Sequence, residues 1–174
     1  FQGSRGLGDV YKRQELDKLK KEIESKNGEC HTFSLDARKE EDVIKFIETI
    51  EQDVGPMSVA VYNIGANIKY NILETTSRKY FKVWEMAAFG AFLMGREVAK
   101  YMVSRKKGTI IFTGATASIR GKEGFAAFAG AKHAKRALAQ SMARELGPKG
   151  IHVAHIIIDG AIDTEWIKKM FPDR

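Results

Sequence analysis

Residues 108–135 hold the side chains of this chain whose types and spacing could support chemistry. Lys132 follows Phe128 by four residues, a spacing that puts both side chains on one face of a helix. The loop before that helix carries two hydroxyls, those of Thr116 and Ser118. An amine and a hydroxyl can hold or move a proton, whereas the phenylalanine ring has no proton to give. The segment therefore predicts a site with part of a proton-transferring set.

Each of these side chains also has a structural interpretation. The hydroxyls of Thr116 and Ser118 are the kind that bond local backbone in a turn. Lys132 fits an exposed position on a helix as well as a binding position. The histidines of the second half follow no metal-ligand spacing, so no metal site is predicted at His133, His152 and His155.

Short apolar runs alternate with amphipathic stretches along the chain. Because apolar positions recur with helical or strand periodicity, each stretch can be assigned to one element. Strands alternating with helices indicate an α/β fold in which a parallel sheet is built through right-handed crossovers. The predicted strands are 30–35, 58–62, 109–113 and 151–158, and the predicted helices are 15–26, 39–53, 77–106 and 125–147.

The first fourteen residues differ in character from the remainder. FQGSRGLGDVYKRQ resembles a translated sequencing adaptor rather than the start of a domain. We therefore expect a leader over 1–14 and one α/β domain over 15–174.

The glycines of this leader follow the pattern G-x-x-G-x-G, which is the kind of pattern that forms a phosphate-binding loop. Such a loop needs an apolar strand before it, yet only Phe1 and Gln2 precede Gly3. The next helix is also predicted to begin within seven residues of Gly8. The context argues against a phosphate-binding loop at this position.

Composition narrows the functional class. The chain has 174 residues, 44% hydrophobic and 29% charged, which suits one domain with its own core. The net charge of +7 is spread over helix faces without interleaved aromatics, so nucleic-acid binding is not predicted. A single cysteine, Cys30, excludes an intrachain disulfide and favours the cytoplasm. The most apolar run, 151–158, is too short to span a membrane.

Four motifs resemble, in the right order, those of the short-chain dehydrogenase/reductase family. Leu35-Asp36 resembles the strand-end aspartate that contacts the adenine, and Tyr62-Asn63-Ile64-Gly65 resembles the Asn-Asn-Ala-Gly turn. Phe128-x-x-x-Lys132 resembles the Tyr-x-x-x-Lys pair. Asp159-Gly160 followed by Thr164 resembles the Pro-Gly-x-x-x-Thr segment. The likeness extends over about residues 15–168.

The resemblance implies a Rossmann-like three-layer αβα fold, with strand order 3-2-1-4-5-6-7 and the cofactor at the switch point. On this resemblance, the chain is expected to supply strands 3 to 6 of that order and to lack the first strand, its glycine-rich loop, the second strand and the seventh. We therefore expect an incomplete sheet that folds poorly alone and binds cofactor weakly. The cofactor is NAD or NADP, and the residue that selects between them belongs to the missing second strand.

The resemblance also assigns roles to residues. In the family, a tyrosine transfers the proton, a lysine lowers the pKa of that tyrosine and holds the nicotinamide ribose, and a serine orients the substrate oxygen. This chain has Phe128 at the tyrosine position, Ala115 at the serine position and Ala87 at a supporting asparagine position. Thr116 and Ser118 are the nearest alternative hydroxyls. The implied cofactor-binding residues are Asp36, Asn63, Gly65, Lys132, Gly160 and Thr164.

Two functions follow from this resemblance. The first is an NAD(P)-dependent oxidoreductase that acts on a small carbonyl or alcohol substrate, with its Tyr and Ser positions replaced. The second is a catalytically inactive protein of the same fold that serves in binding or regulation. The fragment itself is expected to be inactive, and the intact parent is expected to form a homo-oligomer through the two long helices.

Overall fold

The computed structural model describes residues 8–160 and contains five α-helices and three strands in this range. Strands alternate with helices from β1 onward, as predicted. Among the described residues, no helix combines the length and the apolarity that a membrane crossing needs. The helices are α1 Gly8–Glu24, α2 Glu40–Thr49, α3 Ser77–Trp84, α4 Gly90–Arg105 and α5 Ala126–Leu146, and the strands are β1 Val59–Tyr62, β2 Gly108–Ala115 and β3 Ile151–Ile158.

The three strands form one parallel sheet in the order β1-β2-β3. Ala60 lies beside Ile110, and Ile110 lies beside Val153. These three side chains are buried because they point to the face that packs on the helices, as period-two alternation requires. The parallel sheet with flanking helices confirms the Rossmann-like αβα fold, and the three strands are adjacent as the resemblance implies for strands 4, 5 and 6.

The predicted strand over 30–35 is wrong, because the structure assigns no strand to residues 28–36. A strand is stabilised by ladder hydrogen bonds, and the described sheet contains only β1, β2 and β3. The segment is held by side chains instead. The Phe33 ring meets the Phe46 ring edge-on at 5.2 Å between centroids, and Leu35 packs against the main core. The sheet therefore has three of the four predicted strands.

The predicted helix 77–106 is interrupted by one π-helical turn, Glu85–Phe89, between α3 and α4. The Tyr62 hydroxyl, from the end of β1, donates a hydrogen bond to the Met86 carbonyl in this turn at 2.6 Å. A Cβ at Gly90 would clash with the same hydroxyl, so the close approach of β1 to the helix requires glycine there. A π-helical turn within a helix often marks a functional site.

Helices α4 and α5 cover the buried face of the sheet. A Cβ at Gly95 of α4 would lie 3.0 Å from the Met142 side chain of α5 and 3.0 Å from the Phe112 ring of β2. Small residues therefore let the two helices and the sheet approach closely. Helix α1 begins at Gly8, inside the predicted leader, and the domain boundary after residue 14 stays a prediction.

Four aromatic rings form a stacked row along α3 and α4, which we call the aromatic ladder. Successive ring centroids are 6.0, 6.0 and 6.2 Å apart. Three of the four side chains are exposed to solvent, so the ladder is an apolar stripe on the outer surface of these helices. Its members are Phe81, Trp84, Phe89 and Phe92.

Candidate active site

The candidate site lies where the three strands end. Because parallel strands share one carboxyl edge, the turn after β1, the loop after β2 and the residues after β3 meet there. A cleft of about 270 Å³ opens at this edge, between the end of β2, the end of β3 and the first turn of α5. Its lining includes Asn67, Ala115, Thr116, Arg120, Lys122, Phe125, Phe128, Ile158, Asp159 and Gly160.

Lys132 is buried beside this cleft. Its side chain comes from the second turn of α5, and the residue is 5% exposed. The Nζ atom donates a hydrogen bond to the Thr113 carbonyl of β2 at 3.1 Å and lies 5.4 Å from the centroid of the Phe128 ring. Burial lowers the pKa of the Lys132 ammonium. The interpretation as an exposed surface lysine is therefore wrong.

The two replaced positions, Ala115 and Phe128, both line the cleft. The Phe128 ring is buried and lies 6.4 Å from the Phe125 ring. The structure thus brings the predicted tyrosine and serine positions to one cavity, and neither side chain there carries a hydroxyl. The predicted asparagine position, Ala87, is fully buried in the π-helical turn against Val83 and offers only a methyl group.

The two alternative hydroxyls differ in their contacts. Thr116 lines the cleft, and its Oγ1 donates a hydrogen bond to the Asp159 carboxylate. Ser118 is fully buried, and its Oγ accepts a hydrogen bond from the Ala115 N–H at 3.1 Å. Ser118 therefore closes the turn after β2, whereas Thr116 presents a hydroxyl to the cleft.

Three charged residues of the cleft were not predicted from the sequence. Asp159 bonds Thr116, and Arg120 and Lys122, on the loop between β2 and α5, line the cleft. Asp159 belongs to the segment that resembles Pro-Gly-x-x-x-Thr, but its contact with Thr116 joins residues 43 positions apart. No local pattern signals such a contact.

The turn after β1 borders the same space as Lys132. Asn63 and Gly65 are exposed at the carboxyl end of the strand. A Cβ at Gly65 would lie 3.8 Å from the Lys132 Nζ, so this glycine leaves room next to the amine. Gly160 lies at the edge of the cleft. The predicted residue Thr164 lies outside the described residues.

Asp36 is engaged by a neighbour that the sequence reasoning missed. Arg38 donates from Nε to Oδ1 at 2.9 Å and from Nη2 to Oδ2 at 2.7 Å. The hydrogen bonds from Arg38 lower the pKa of the Asp36 carboxyl. The Asp36 N–H donates to the Asp42 carboxylate at 3.3 Å. Both carboxylate oxygens therefore have a partner within the chain, and Asp36 does not line the cleft. The spacing of two residues between Asp36 and Arg38 was the sequence feature that could have predicted this ion pair.

A second buried amine lies behind the first. Lys135 is fully buried, and its Nζ donates a hydrogen bond to the Ile64 carbonyl at 3.2 Å and lies 5.3 Å from the Tyr62 ring centroid. The Lys135 amine binds Ile64 and the Lys132 amine lies next to Gly65, so the two amino groups meet at the same turn, and each affects the pKa of the other. Burial, followed by the charge of Lys132, lowers the pKa of Lys135 to about 6. The sequence reasoning missed Lys135, although a spacing of three residues places it on the same helix face as Lys132.

These residues fit one part of a nicotinamide cofactor better than the other. An ammonium has three N–H donors, and the Lys132 ammonium uses one on the Thr113 carbonyl. A further donor is left for a hydroxyl in the space next to Gly65. The nicotinamide-ribose side therefore fits, while the Asp36 side is already paired with Arg38.

Comparisons with known proteins identify the family. The family model described as short chain dehydrogenase matches residues 7–174. A crystal structure of a short-chain dehydrogenase from Rhodopseudomonas palustris shares 46% identity at a TM-score of 0.80, over 92% of this chain and 76% of that chain. ElxO, solved as a tyrosine-to-phenylalanine variant with NADPH bound, shares 25% identity at a TM-score of 0.77, over 80% and 56% of the two chains.

A curated relative gives the same family. Short chain aldehyde dehydrogenase 1 of Euphorbia lathyris is 29% identical over 120 residues, which cover 68% of this chain. This chain spans 42% of the length of that relative.

Proposed function

This chain belongs to the short-chain dehydrogenase family, and we propose that it acts as an NAD(P)-dependent oxidoreductase on a small carbonyl or alcohol substrate. The observation that carries the proposal is the buried Lys132 amine at the end of β2. It lies beside the exposed turn at Gly65 and behind a cleft of substrate size. A buried cation that is left with a spare donor next to such a cleft suits the binding of hydroxyl groups.

In the proposed reaction, Lys132 binds the nicotinamide ribose through its third N–H. Gly65 leaves space for that sugar, and Asn63 presents a polar side chain beside it. The bound cofactor supplies or accepts the hydride. Thr116 is the cleft hydroxyl that orients the substrate oxygen, and its own orientation is fixed by the hydrogen bond to Asp159.

The replaced positions reduce the acid–base contribution of the site. General acid–base catalysis contributes roughly 10²–10⁴-fold, and neither Phe128 nor Ala115 can transfer a proton. Cofactor binding does not depend on a phenol to the same extent. The ElxO variant, in which a phenylalanine replaces a tyrosine, was solved with NADPH bound, which supports nucleotide binding by this chain as well.

The second candidate function is a binding or regulatory protein of the same fold. The observation that favours it is the loss of three side chains together, at Ala87, Ala115 and Phe128, all at positions where the resemblance implies polar groups. In this case Lys132 binds the nucleotide, and the cleft does not turn a substrate over.

We also propose that the protein works as a homo-oligomer in the cytoplasm. A groove of about 410 Å³ between α4 and α5 exposes apolar residues, among them Val103, Leu138 and Met142, and the aromatic ladder continues this apolar surface along α3. Exposed apolar surfaces of this kind mark interaction sites. A single cysteine suits a reducing compartment.

The decisive experiment uses the protein expressed from its whole open reading frame. NADH and NADPH are titrated by nucleotide fluorescence, and a panel of small aldehydes, ketones and alcohols is screened for turnover. Lys132→Ala is the test variant, and Lys149→Ala, at an exposed lysine after α5, is the matched control.

Three results separate the candidates. Turnover that Lys132→Ala abolishes and Lys149→Ala preserves establishes the oxidoreductase. Binding without turnover, with turnover gained in Phe128→Tyr plus Ala115→Ser, establishes the binding protein. If the wild-type protein binds neither nucleotide, both candidates fail. The tighter of the two nucleotides identifies the cofactor.

A further inference from the structure

Two lysine amines lie together at the base of the site, and no carboxylate in the part of the chain that the structure describes balances their charge. Lys132 is 5% exposed and Lys135 is 0% exposed. No carboxylate among the described residues contributes to the pKa of either group. Buried charges are ordinarily paired with an opposite charge, so this arrangement requires another explanation.

The hydrogen bonds supply that explanation. An N–H···N bond between two amino groups needs a lone pair on one of them, and an ammonium has none. Lys135 is the neutral partner because it lies deeper and its pKa is lowered further. A neutral amine can accept from Lys132 and still donate to the Ile64 carbonyl at 3.2 Å. Lys132 then keeps the charge and donates to the Thr113 carbonyl at 3.1 Å.

The side chains around Lys132 and Lys135 favour a single positive charge on the two amines together. Arg136 lies on the same helix, and His155 on β3 has a buried Nε2 with no hydrogen-bond partner among the described residues. Burial and the neighbouring positive charges, among them Arg136 and Lys132, lower the pKa of His155, so this histidine stays neutral. On β1, Tyr62 turns its ring toward Lys135 and its hydroxyl toward Met86.

We propose that Lys132 and Lys135 share one proton at neutral pH, and that this amine pair supplies and takes up the proton of the reaction in place of the missing phenol. The proposal rests on the proposed function, because it concerns the same hydride transfer. Lys132 is the residue of the pair next to the cleft, and Lys135 acts through it as a positioning residue.

The step balances for carbonyl reduction. The substrate carbon gains a hydride from the reduced nicotinamide, and the C=O π electrons move to the oxygen. That oxygen takes a proton from the hydroxyl, of the ribose or of a water molecule, that is bonded to the third N–H of Lys132. The hydroxyl takes a proton from Lys132 in turn, and the N–H electron pair stays on Nζ. The products are the alcohol, the oxidised nicotinamide and a pair with one proton fewer, which solvent restores.

The pKa values of the two amines determine how the reaction rate depends on pH. Lys135 loses its proton near pH 6, so at neutral pH the pair carries one proton, and that proton is on Lys132. A catalytic group works best when its pKa is near the operating pH, and burial lowers the pKa of Lys132 toward that range. Carbonyl reduction should therefore slow when the pH rises above the pKa of Lys132, and alcohol oxidation should accelerate over the same range.

The first test needs no cofactor and no substrate. The ¹³Cε resonances of the labelled lysines are followed against pH in the wild-type protein, in Lys135→Met and in the exposed-lysine control Lys149→Met. We expect one lysine to titrate near pH 6, to be absent from Lys135→Met and to remain in Lys149→Met. If every lysine titrates above about pH 9, near the value of a free side chain, the pair does not exist.

The second test is the pH profile of carbonyl reduction at saturating nucleotide. Wild-type kcat should fall about tenfold per pH unit once the pH exceeds the pKa of Lys132, since a single proton is then lost. Lys135→Met should move this fall to lower pH while its KM stays the same, because the interaction with Lys135 raises the pKa of Lys132. Lys135→Leu is a second apolar variant, and circular dichroism checks that each is folded. A variant that is folded and keeps the wild-type profile overturns the proposal.

The two tests separate this inference from the proposed function. If neither NADH nor NADPH binds, the proposed function fails and the catalytic half of the inference fails with it. The lysine titration then still decides whether the amine pair exists.

Discussion

The two sides of the candidate site contrast in their chemistry. On the amine side, Lys132 and Lys135 are buried, and each donates to a backbone carbonyl. On the cleft side, Ala115 and Phe128 present a methyl group and a ring. The site therefore has buried polar groups on one side, while the predicted serine and tyrosine positions on the other side are apolar.

The contrast rests on very few atoms. Phenylalanine differs from tyrosine by one oxygen, and alanine differs from serine by one oxygen. The strand ends, the turn at Gly65 and helix α5 surround these two positions, and they belong to the fold of the family. The scaffold of the site and its proton chemistry can thus change independently of each other, and substitutions on each side test this separation.

Restoring the two oxygens should have the largest effect. Phe128→Tyr combined with Ala115→Ser should raise kcat for carbonyl reduction by about 10²–10⁴-fold, the usual contribution of general acid–base catalysis. The check is steady-state turnover at saturating NADH or NADPH. The single Ala115→Ser variant is the control, because it orients a substrate without supplying the phenol. An unchanged kcat in the double variant would mean that the cleft has lost more than its proton donor.

Removing the amine should have the next largest effect. Lys132→Ala should weaken nucleotide binding by about 10- to 100-fold, because hydrogen bonds to charged groups contribute about 1.5–3 kcal/mol. Fluorescence titration of NADH and NADPH measures it, against Lys149→Ala as the control. If the two variants bind the nucleotide with equal affinity, the nucleotide does not contact Lys132, and the amine side of the site has no role in binding it.

The burial of Lys135 can be tested by measuring how the free energy of unfolding depends on pH. The folded-state pKa of Lys135 is lowered to about 6 from 10.5, so Lys135 destabilises the fold fully below about pH 6, and this cost disappears as the pH rises to 10.5. Lys135→Met should therefore stabilise the protein by roughly 1–3 kcal/mol at pH 6 and by much less at pH 10.5. Urea unfolding at several pH values measures this. A gain that does not depend on pH would contradict the burial of a titrating amine.

The smallest effect is expected in the turn after β2. Ser118→Ala leaves the Ala115 N–H without its side-chain acceptor and should cost about 1 kcal/mol of unfolding free energy. Ser141→Ala, at an exposed position of α5, should change it by less than about 0.5 kcal/mol. Thermal unfolding compares the two variants. An equal loss in both would show that Ser118 does not close the turn.

The elements of the fold followed from local pattern, whereas the contacts of the site did not. The helix predicted over 125–147 matches α5, Ala126–Leu146, because apolar periodicity is a property of neighbouring residues. The segment 30–35 has a strand composition, but it becomes a strand only beside another strand. Composition cannot say whether that partner is present.

The lysine pair shows the same limit at the level of side chains. Lys135 resembles any other lysine of a basic helix, and the site residues carried over from the resemblance did not include it. Its burial depends on the Ile64 carbonyl, which is 71 positions away, and on the Tyr62 ring of β1. Only the folded chain brings these groups together. Lys132, by contrast, was predicted because it stands in a motif of local spacing.

The aromatic ladder gives the protein an optical signal of its own. Trp84 lies between Phe81 and Phe89 with both ring centroids 6.0 Å away, at the junction of α3 with the π-helical turn. Its indole is partly exposed, so its emission should shift to shorter wavelength when the ladder is covered by a second subunit. Trp166 is the other tryptophan of the chain, so Trp166→Phe leaves Trp84 as the only indole that emits. Dilution of this variant separates the subunits, and the emission of Trp84 should then shift to longer wavelength without any added label.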